Sequence, residues 1–473
     1  MKFIQLWKVI KLVKSSLKIE DELTLSYLKG IKLNEYQKVI NSETRYPGLL
    51  LQCARFLFFL IKSLSFSKKK ISYSSDILLY AGTKNQYQSL LPTMQELKRK
   101  GIKYNIVAPK SICAEAVDYK LSLVDTLAVF YIFITLGFKL ILRLKKAGKT
   151  FEIANLLSIY FCSYIHLTFF AVLLINLTVK GKLSLVIISN DHSNPNRSLR
   201  VLCEQLGLKT LYMQHASVSK IFPPLQYDYA LLDGRAAYNT YLSCIDNLPN
   251  TKVYPVQVFL SGQKKAVTIQ TTPTTELFDI GVAVNTLDDF VFLKDFLIKA
   301  NTLHLSVLIR THPRQEKEFL EKLNTVLESK VQWCDPQKEE IQTFFSSIKC
   351  LVAANTSIHL EAALAGLATL YYEFNSNSQL VDYYGYLESG LTCELNINNL
   401  SDSITKGIEN SNTLKRNKAV QMYSATYMTQ WENKEGILAT ELIEKIISGD
   451  SFENLFKLTS EPGDYKLHEV IKS

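Results

Sequence analysis

The residues best suited to chemistry in this 473-residue sequence lie in short polar clusters, each placed where an apolar run ends. "LIRTHPRQ", residues 308–315, sets Arg310, His312, Pro313 and Arg314 at the end of "HLSVLI". Pro313 fixes φ and keeps His312 extended, so the imidazole is held at a strand tip. The arginines offer planar donors suited to phosphate or carboxylate. "NTSIHLEAALAG", residues 355–366, puts Thr356 and Ser357 at a helix start, with Glu361 one turn on. Free backbone N–H groups and the positive helix end favour an anion there. In "SNDHSNPNRSLR", residues 189–200, Pro195 marks a helix opening capped by Asn194, and Arg197 and Arg200 follow one turn apart. Asp191 precedes that helix and either caps it or accepts a proton from a hydroxyl. "QHAS" carries His215, suited to proton transfer or to bonding a phosphate oxygen. "AGTKNQ" carries Gly82 and Lys84, where a ligand could approach the backbone or where the chain simply turns from strand to helix.

Such clusters need a scaffold that brings strand ends together. "SSDILLYAGT", "KYNIVAPK", "KLSLVIISND" (182–191), "KTLYMQH" (209–215), "YDYALLDG" (227–234) and "TKVYPV" (251–256) read as strands separated by helix-length segments. A second series, "LFDIGVAVN" (277–285), "HLSVLIR" (304–310), "KVQWC" (330–334), "IKCLVAAN" (348–355) and "LATLYYEF" (367–374), repeats the alternation. Both predict α/β domains with parallel sheets covered by helices, whose ligands bind at the carboxyl ends of the strands. The expected division is a basic amphipathic helical segment at 1–72, one Rossmann-like domain at 73–261, a polar linker at 262–276, a second Rossmann-like domain with closing helices at 277–447, and a polar tail at 448–473. The first domain carries an apolar helical insert at 122–180. Its segments 124–142 and 153–179 are expected to form a buried or membrane-dipping pair, with a spanning hairpin as the alternative.

Composition narrows the partners. Hydrophobic residues make up 47% and charged residues 21%, which excludes a disordered chain. Of the net charge of +10, residues 1–72 supply most, with fourteen Lys and Arg against five Asp and Glu. There the cations alternate with aliphatic bulk, as in "MKFIQLWKVIKLVKSSLKI", which fits an anionic membrane surface and argues against nucleic acid. The eight cysteines form no CxxC pair and no metal-ligand spacing, and no metal is expected. The absence of a leader pattern points to a cytoplasmic protein bound peripherally at the inner face of the cell membrane. No Walker loop, HExxH, GxSxG or complete GxGxxG occurs, which argues against nucleoside triphosphatase, zinc peptidase and dinucleotide dehydrogenase chemistry.

Taken in order, "QHAS", "LIRTHPRQ" and "NTSIHLEAALAG" resemble the GT-B glycosyltransferases of bacterial surface polysaccharide synthesis, over about residues 75–447. The resemblance is to the His-Pro group of sialyl-, polysialyl- and Kdo-type transferases, with the CDP-polyol phosphotransferases as neighbours. It implies an N-terminal acceptor domain and a C-terminal nucleotide domain in which His312, Thr356 and Ser357 contact the nucleotide phosphate. It implies a metal-independent, inverting transfer from a nucleotide-activated sugar, CMP-linked in the nearest group, to a glycan or lipid-linked acceptor. The sialyltransferase-like enzymes carry an acidic pair before a glycine. Here "LLDG" offers only Asp233, which leaves Asp191, His215 and Asp233 as alternatives for the base. A phosphotransferase of teichoic-acid-like synthesis and a non-catalytic nucleotide- or glycan-binding scaffold remain the alternative readings.

Overall fold

A computed structural model of the chain describes residues 3–19, 48–64, 74–154, 156–220, 222–247, 255–263, 277–286, 288–312, 315, 317–327, 331–375, 381–460 and 465–471. Pro313 and Arg314, residues 264–276 of the expected linker, and residues 20–47 and 65–73 of the N-terminal segment lie outside them. The chain forms two units, one of Met1–Leu232, Ala237–Lys264 and Lys434–Ser473, the other of Asp233–Ala236 and Lys265–Asn433. Each is Rossmann-like, and they give the α/β class with two sheets, parallel except for the antiparallel edge strand Phe456–Ser460 of the first, of GT-B type.

In the first unit, helices α1 (Phe3–Ile19) and α2 (Leu49–Lys62) precede β1 (Ile77–Tyr80), α3 (Lys84–Arg99) and β2 (Tyr104–Val107). Between β2 and β3 (Leu185–Ile188) come α4 (Leu123–Ile132), a π-helical turn at Phe133–Gly137, α5 (Phe138–Lys146) and α6 (Cys162–Lys180). Helix α7 (Asn194–Leu206) then leads to β4 (Lys209–Met213), β5 (Tyr229–Leu232) and β6 (Val256–Leu260). Strands β1 and β3 are buried along their whole length, the mark of strands covered on both faces. Strand β6 starts just past Pro255, which has no N–H to give to a ladder; of the strand expected at 251–256, residues 251–254 lie outside the described residues.

Helix α6 is the apolar core helix of this unit. Leu167, Phe169, Phe170, Ala171, Leu174 and Leu177 are all fully buried, and Phe170 meets Tyr80 of β1 edge to face at 5.2 Å. Packing against α1, α4 and α7 accounts for its composition.

The second unit holds β7 (Ile280–Ala283), β8 (Val307–Arg310), β9 (Gln332–Cys334), β10 (Cys350–Ala353), helix α8 (Ile358–Leu364), β11 (Ala368–Tyr371) and β12 (Cys393–Glu394), in the order β12-β11-β10-β7-β8-β9. Its core joins Ile280, Val282, Ile309, Val352 and Leu370 of the strands to Phe296 and Leu297 of the helix Phe290–Thr302.

The C-terminal segment departs from expectation. Helix α9 (Glu435–Ser448), read as closing the second domain, packs on α3 of the first unit, where Gly436 sits so near Pro92 that a Cβ would lie 2.8 Å from its carbonyl. Lys100 pairs with Glu444 along this contact. The expected polar tail instead contributes β13 (Phe456–Ser460) and β14 (Tyr465–Val470), which extend the first sheet to β13-β14-β6-β5-β4-β3-β1-β2. Tyr465 anchors this addition, its hydroxyl accepting the Leu225 amide at 2.7 Å.

Candidate active site

In the first sheet the order reverses at β1, which passes to β2 on one side and pairs with β3 on the other. A ligand crevice is expected beyond the carboxyl ends of β1 and β3. The loop after β3 holds a closed set of polar bonds. Asn190 Oδ1 accepts the backbone amides of His192 (3.0 Å) and Ser193 (2.8 Å). That orients its amide so that Nδ2 donates toward His192 Nε2 at 3.3 Å. His192 Nε2 is therefore an acceptor, and the ring proton sits on Nδ1, which donates to Asp191 Oδ1 at 2.7 Å. The other carboxylate oxygen accepts the Tyr241 hydroxyl at 2.6 Å, and Tyr241 meets the Tyr212 hydroxyl at 3.0 Å. Phe222 packs on the His192 ring at 4.4 Å.

Asp191 is 1% exposed while the His192 side chain is 23% exposed, so the histidine faces outward and the aspartate stands behind it. Burial pushes the Asp191 carboxyl up, but the charge of His192 and the bonds from His192 and Tyr241 outweigh it and hold the pKa below its usual value. Asp191 is thus an ionised carboxylate with both oxygens engaged. It does not cap α7, which opens at Asn194 with Ser193 before it, one residue earlier than expected. Arg197 and Arg200, expected near an acceptor, are buried in the unit's interior; Arg200 reaches Glu204 at 3.0 Å.

His215 comes from the neighbouring strand at the same height: Ile188 pairs with Tyr212, and Asp191 and His215 each lie three residues further on. Gly82 and Lys84 sit across the reversal at the start of α3. There Thr83 caps the helix and Gln86 reaches back to the Gly82 amide at 2.7 Å, which gives "AGTKNQ" a local structural role and leaves Lys84 exposed. Asp233 is buried directly after β5, and its carbonyl accepts the Ala425 amide in the second unit, to which residues 233–236 belong.

In the second sheet the reversal lies between β7 and β10. Ala283 pairs with both Arg310 and Ala353, so Asn285, His312 and Asn355 each stand two residues beyond one level of the sheet. Asn285 Nδ2 bonds the Asn355 carbonyl at 2.8 Å across the reversal. Thr356 and Ser357 follow at the half-exposed start of α8, and the Ser357 hydroxyl makes no capping bond. Glu361 lies in the first turn of that helix. His359, one residue into it, is fully buried, bonds the carbonyls of Ala353 and Ala354, and is pushed down to about 4 by burial.

Arg310 is turned away from this edge. Its guanidinium bonds Cys334 Sγ at 2.8 Å and the Glu339 carbonyl at 3.0 Å, and lies over the Phe344 ring. His312 is half-buried, with its carbonyl accepting the Gln315 amide.

Sequence reasoning passed over His192, although "NDH" at a strand end places an acid and an imidazole side by side. It also missed Asn285 and Asp288. Asp288 accepts the Asn285 amide at 2.7 Å and is pushed up to about 7 by burial, with Glu373 adding to the effect. Among the described residues no group of three His, Cys, Asp or Glu side chains could hold a metal ion.

No family model and no curated protein matches the chain. Solved structures do. A Listeria monocytogenes protein provisionally assigned as a UDP-N-acetylglucosamine 2-epimerase is similar with a TM-score of 0.50 and 11% identity, covering 80% of this chain and 98% of that one. The Neisseria meningitidis UDP-GlcNAc 2-epimerase bound to UDP-GlcNAc gives 0.49 and 12%, over 78% and 99%. MurG from Acinetobacter baumannii gives 0.43 and 12%, over 79% and 99%. At such identities the likeness concerns the fold.

Proposed function

We propose that the protein is a glycosyltransferase that moves a sugar from a nucleotide-activated donor to a hydroxyl of a glycan or lipid-linked acceptor, with His192 as the general base. The observation that carries this reading is the tautomer of His192: Nδ1–H is held by a buried carboxylate, which leaves Nε2 of this partly exposed ring as the basic nitrogen, met only by the long 3.3 Å contact from the Asn190 amide. An imidazole so held takes a proton at Nε2 from a hydroxyl that displaces the Asn190 amide, while the carboxylate behind it stabilises the resulting cation. Asp191 positions the base, since its own oxygens are occupied by His192 and Tyr241.

In the reaction, the acceptor O–H proton passes to His192 Nε2 as the oxygen bonds to the anomeric carbon. The bond from that carbon to the nucleotide phosphate breaks, and the electron pair leaves with the phosphate. One displacement inverts the anomeric centre. The second unit is assigned to the nucleotide: His312, the Ser357 hydroxyl and the amides around Thr356 supply donors for the departing phosphate. Arg310 has no direct part in this scheme, because its guanidinium is held by Cys334 and Glu339. The preference for a CMP-linked sugar rests on the resemblance of "LIRTHPRQ" and "NTSIHLEAALAG" to the His-Pro transferases.

A binding screen with CMP, CDP, UDP and GDP tests the assignment. CMP is expected to bind most tightly, and His312→Ala to weaken it about tenfold through loss of a charge-assisted bond. Unchanged affinity in that variant, or no nucleotide binding at all, rejects the clamp.

A further inference from the structure

Helices α2, α4 and α5 form an adjoining set on the first unit. Phe56 of α2 meets Phe133, between α4 and α5, at 4.5 Å, and both rings pack on Phe161 ahead of α6. The end of α2 is tied to the approach to α4, where the Leu121 amide donates to the Ser63 carbonyl at 2.8 Å. The buried side chain of Gln52 docks α2 from below, bonding the Ile153 carbonyl and the Leu157 amide. Gln52, Phe56 and Leu60 thus mark the inward face of α2.

The outward faces of this set are apolar as well. On α2, Leu50, Phe58 and Ile61 are each more than half exposed. Along α4 and α5, Leu123, Leu127, Ile134, Phe138 and Leu142 make a second exposed stripe at helical spacing. Only a third of the apolar stretch Leu123–Lys146 is buried, against two-thirds of Cys162–Val179. Around these stripes the exposed charges are cationic: Arg55 and Lys62 on α2, and Lys139, Lys145 and Lys146 on α5. The single acid in the three helices, Asp125, is buried in a capping box with Ser122.

We infer that this face is a membrane-docking surface that lies flat in the headgroup region of an anionic bilayer. The chemistry is that of an interfacial helix, with apolar side chains entering the acyl boundary and Lys and Arg meeting lipid phosphates. A flat arrangement suits the packing better than a spanning one, because α2 and α4 each bury one face and leave the other exposed. A second copy of the chain would bring like charges together, which opposes self-association through this face. Helix α1 adjoins the same surface: Lys14 lies over the Tyr131 ring of α4 at 5.2 Å, and Trp7 is exposed. The inference stands apart from the transferase reading, since it uses none of the residues assigned to base or nucleotide.

The test uses the full chain and sedimentation with phosphatidylcholine vesicles, with and without about 30 mol % phosphatidylglycerol. The wild type is expected to partition to the anionic vesicles, less so as salt is raised. Leu127→Ser, Ile134→Ser and Phe138→Ser together should lower that partition at least about tenfold. Because these side chains are exposed, thermal melting should be unchanged. Lys139→Gln, Lys145→Gln and Lys146→Gln together should remove most of the preference for anionic lipid. Failure of the wild type to bind either vesicle overturns the inference, as does undiminished binding by the serine variant. Self-association in solution that the serine variant abolishes also overturns it, in favour of an interface between copies.

Discussion

At the carboxyl edge of the first sheet the polar side chains hold one another: Asn190 orients His192, His192 engages Asp191, and Asp191 is closed by Tyr241. At the corresponding edge of the second sheet the bonds run within the backbone framework, from Asn285 to the Asn355 carbonyl and from Asp288 to the Asn285 amide. There the Ser357 hydroxyl is half-exposed without a capping bond. The first edge has a buried ion behind an outward imidazole, an arrangement that fixes where a proton goes. The second presents neutral donors, an arrangement that suits an incoming anion. Two Rossmann-like sheets that both reverse their strand order are differentiated by what their loop polar groups bond, other side chains in the first and the backbone in the second.

The contrast is broken most severely at His192. His192→Ala should lower turnover by about 10²–10⁴-fold, the usual contribution of a positioned base, with nucleotide affinity changed by less than about twofold. Steady-state kinetics beside calorimetric titration of the nucleotide separates the two quantities. A loss of affinity at full turnover would place His192 in the nucleotide seat and erase the division of labour.

A comparable effect, up to about 10⁴-fold in turnover, is expected from Asp191→Asn, because the ring keeps its place but the amide no longer fixes the proton on Nδ1 or stabilises the cation. The same substitution should lower stability at neutral pH and flatten its decline in acid. With its pKa held below the usual carboxylate value, Asp191 contributes stability that is present above that ordinary value and is lost as pH falls through the depressed one. Melting temperatures across the acid range check this, and a wild-type acid limb retained in full by the variant would remove Asp191 from the ionised network.

The smallest effect belongs to the second edge. Asp288, raised to about 7 from 3.8, binds a proton in the fold that the unfolded chain has released, so its contribution to stability declines as pH rises between those values. Asp288→Asn should remove that decline and raise the melting temperature at pH 8 by a few degrees. His359 has the opposite slope: its pKa is lowered from 6.5 to about 4, so stability rises with pH through that window. That rise should persist in the Asp288 variant.

Much of the framework was legible because buried parallel strands are written as unbroken apolar runs. "ILLY", "LVII" and "CLVA" each became a fully buried strand. The candidate site was legible only as a set of positions. Asp191 stood out as a carboxylate at a strand end, but the outward group is its neighbour His192, because the Asn190 amide and the Tyr241 hydroxyl determine which side chain turns inward. Arg310 read as an anion ligand by type, yet a cysteine 24 residues away and a backbone carbonyl 29 residues away claim its guanidinium.

By itself the sequence determined the α/β alternation, the strand-end location of the polar clusters and the basic, aliphatic character of the N-terminal region, since each follows from local pattern and composition. Tertiary structure decided what those patterns pack against. Helix α9 carries an apolar face that either core could take, and it lies on α3 of the first unit. The final residues, polar by composition, alternate with period two and become strands once β6 offers a free edge. The apolar helices between β2 and β3 look alike in sequence, yet α6 is enclosed while α4 and α5 keep an exposed stripe. Burial depends on which neighbours cover a helix, and those neighbours lie far away along the chain.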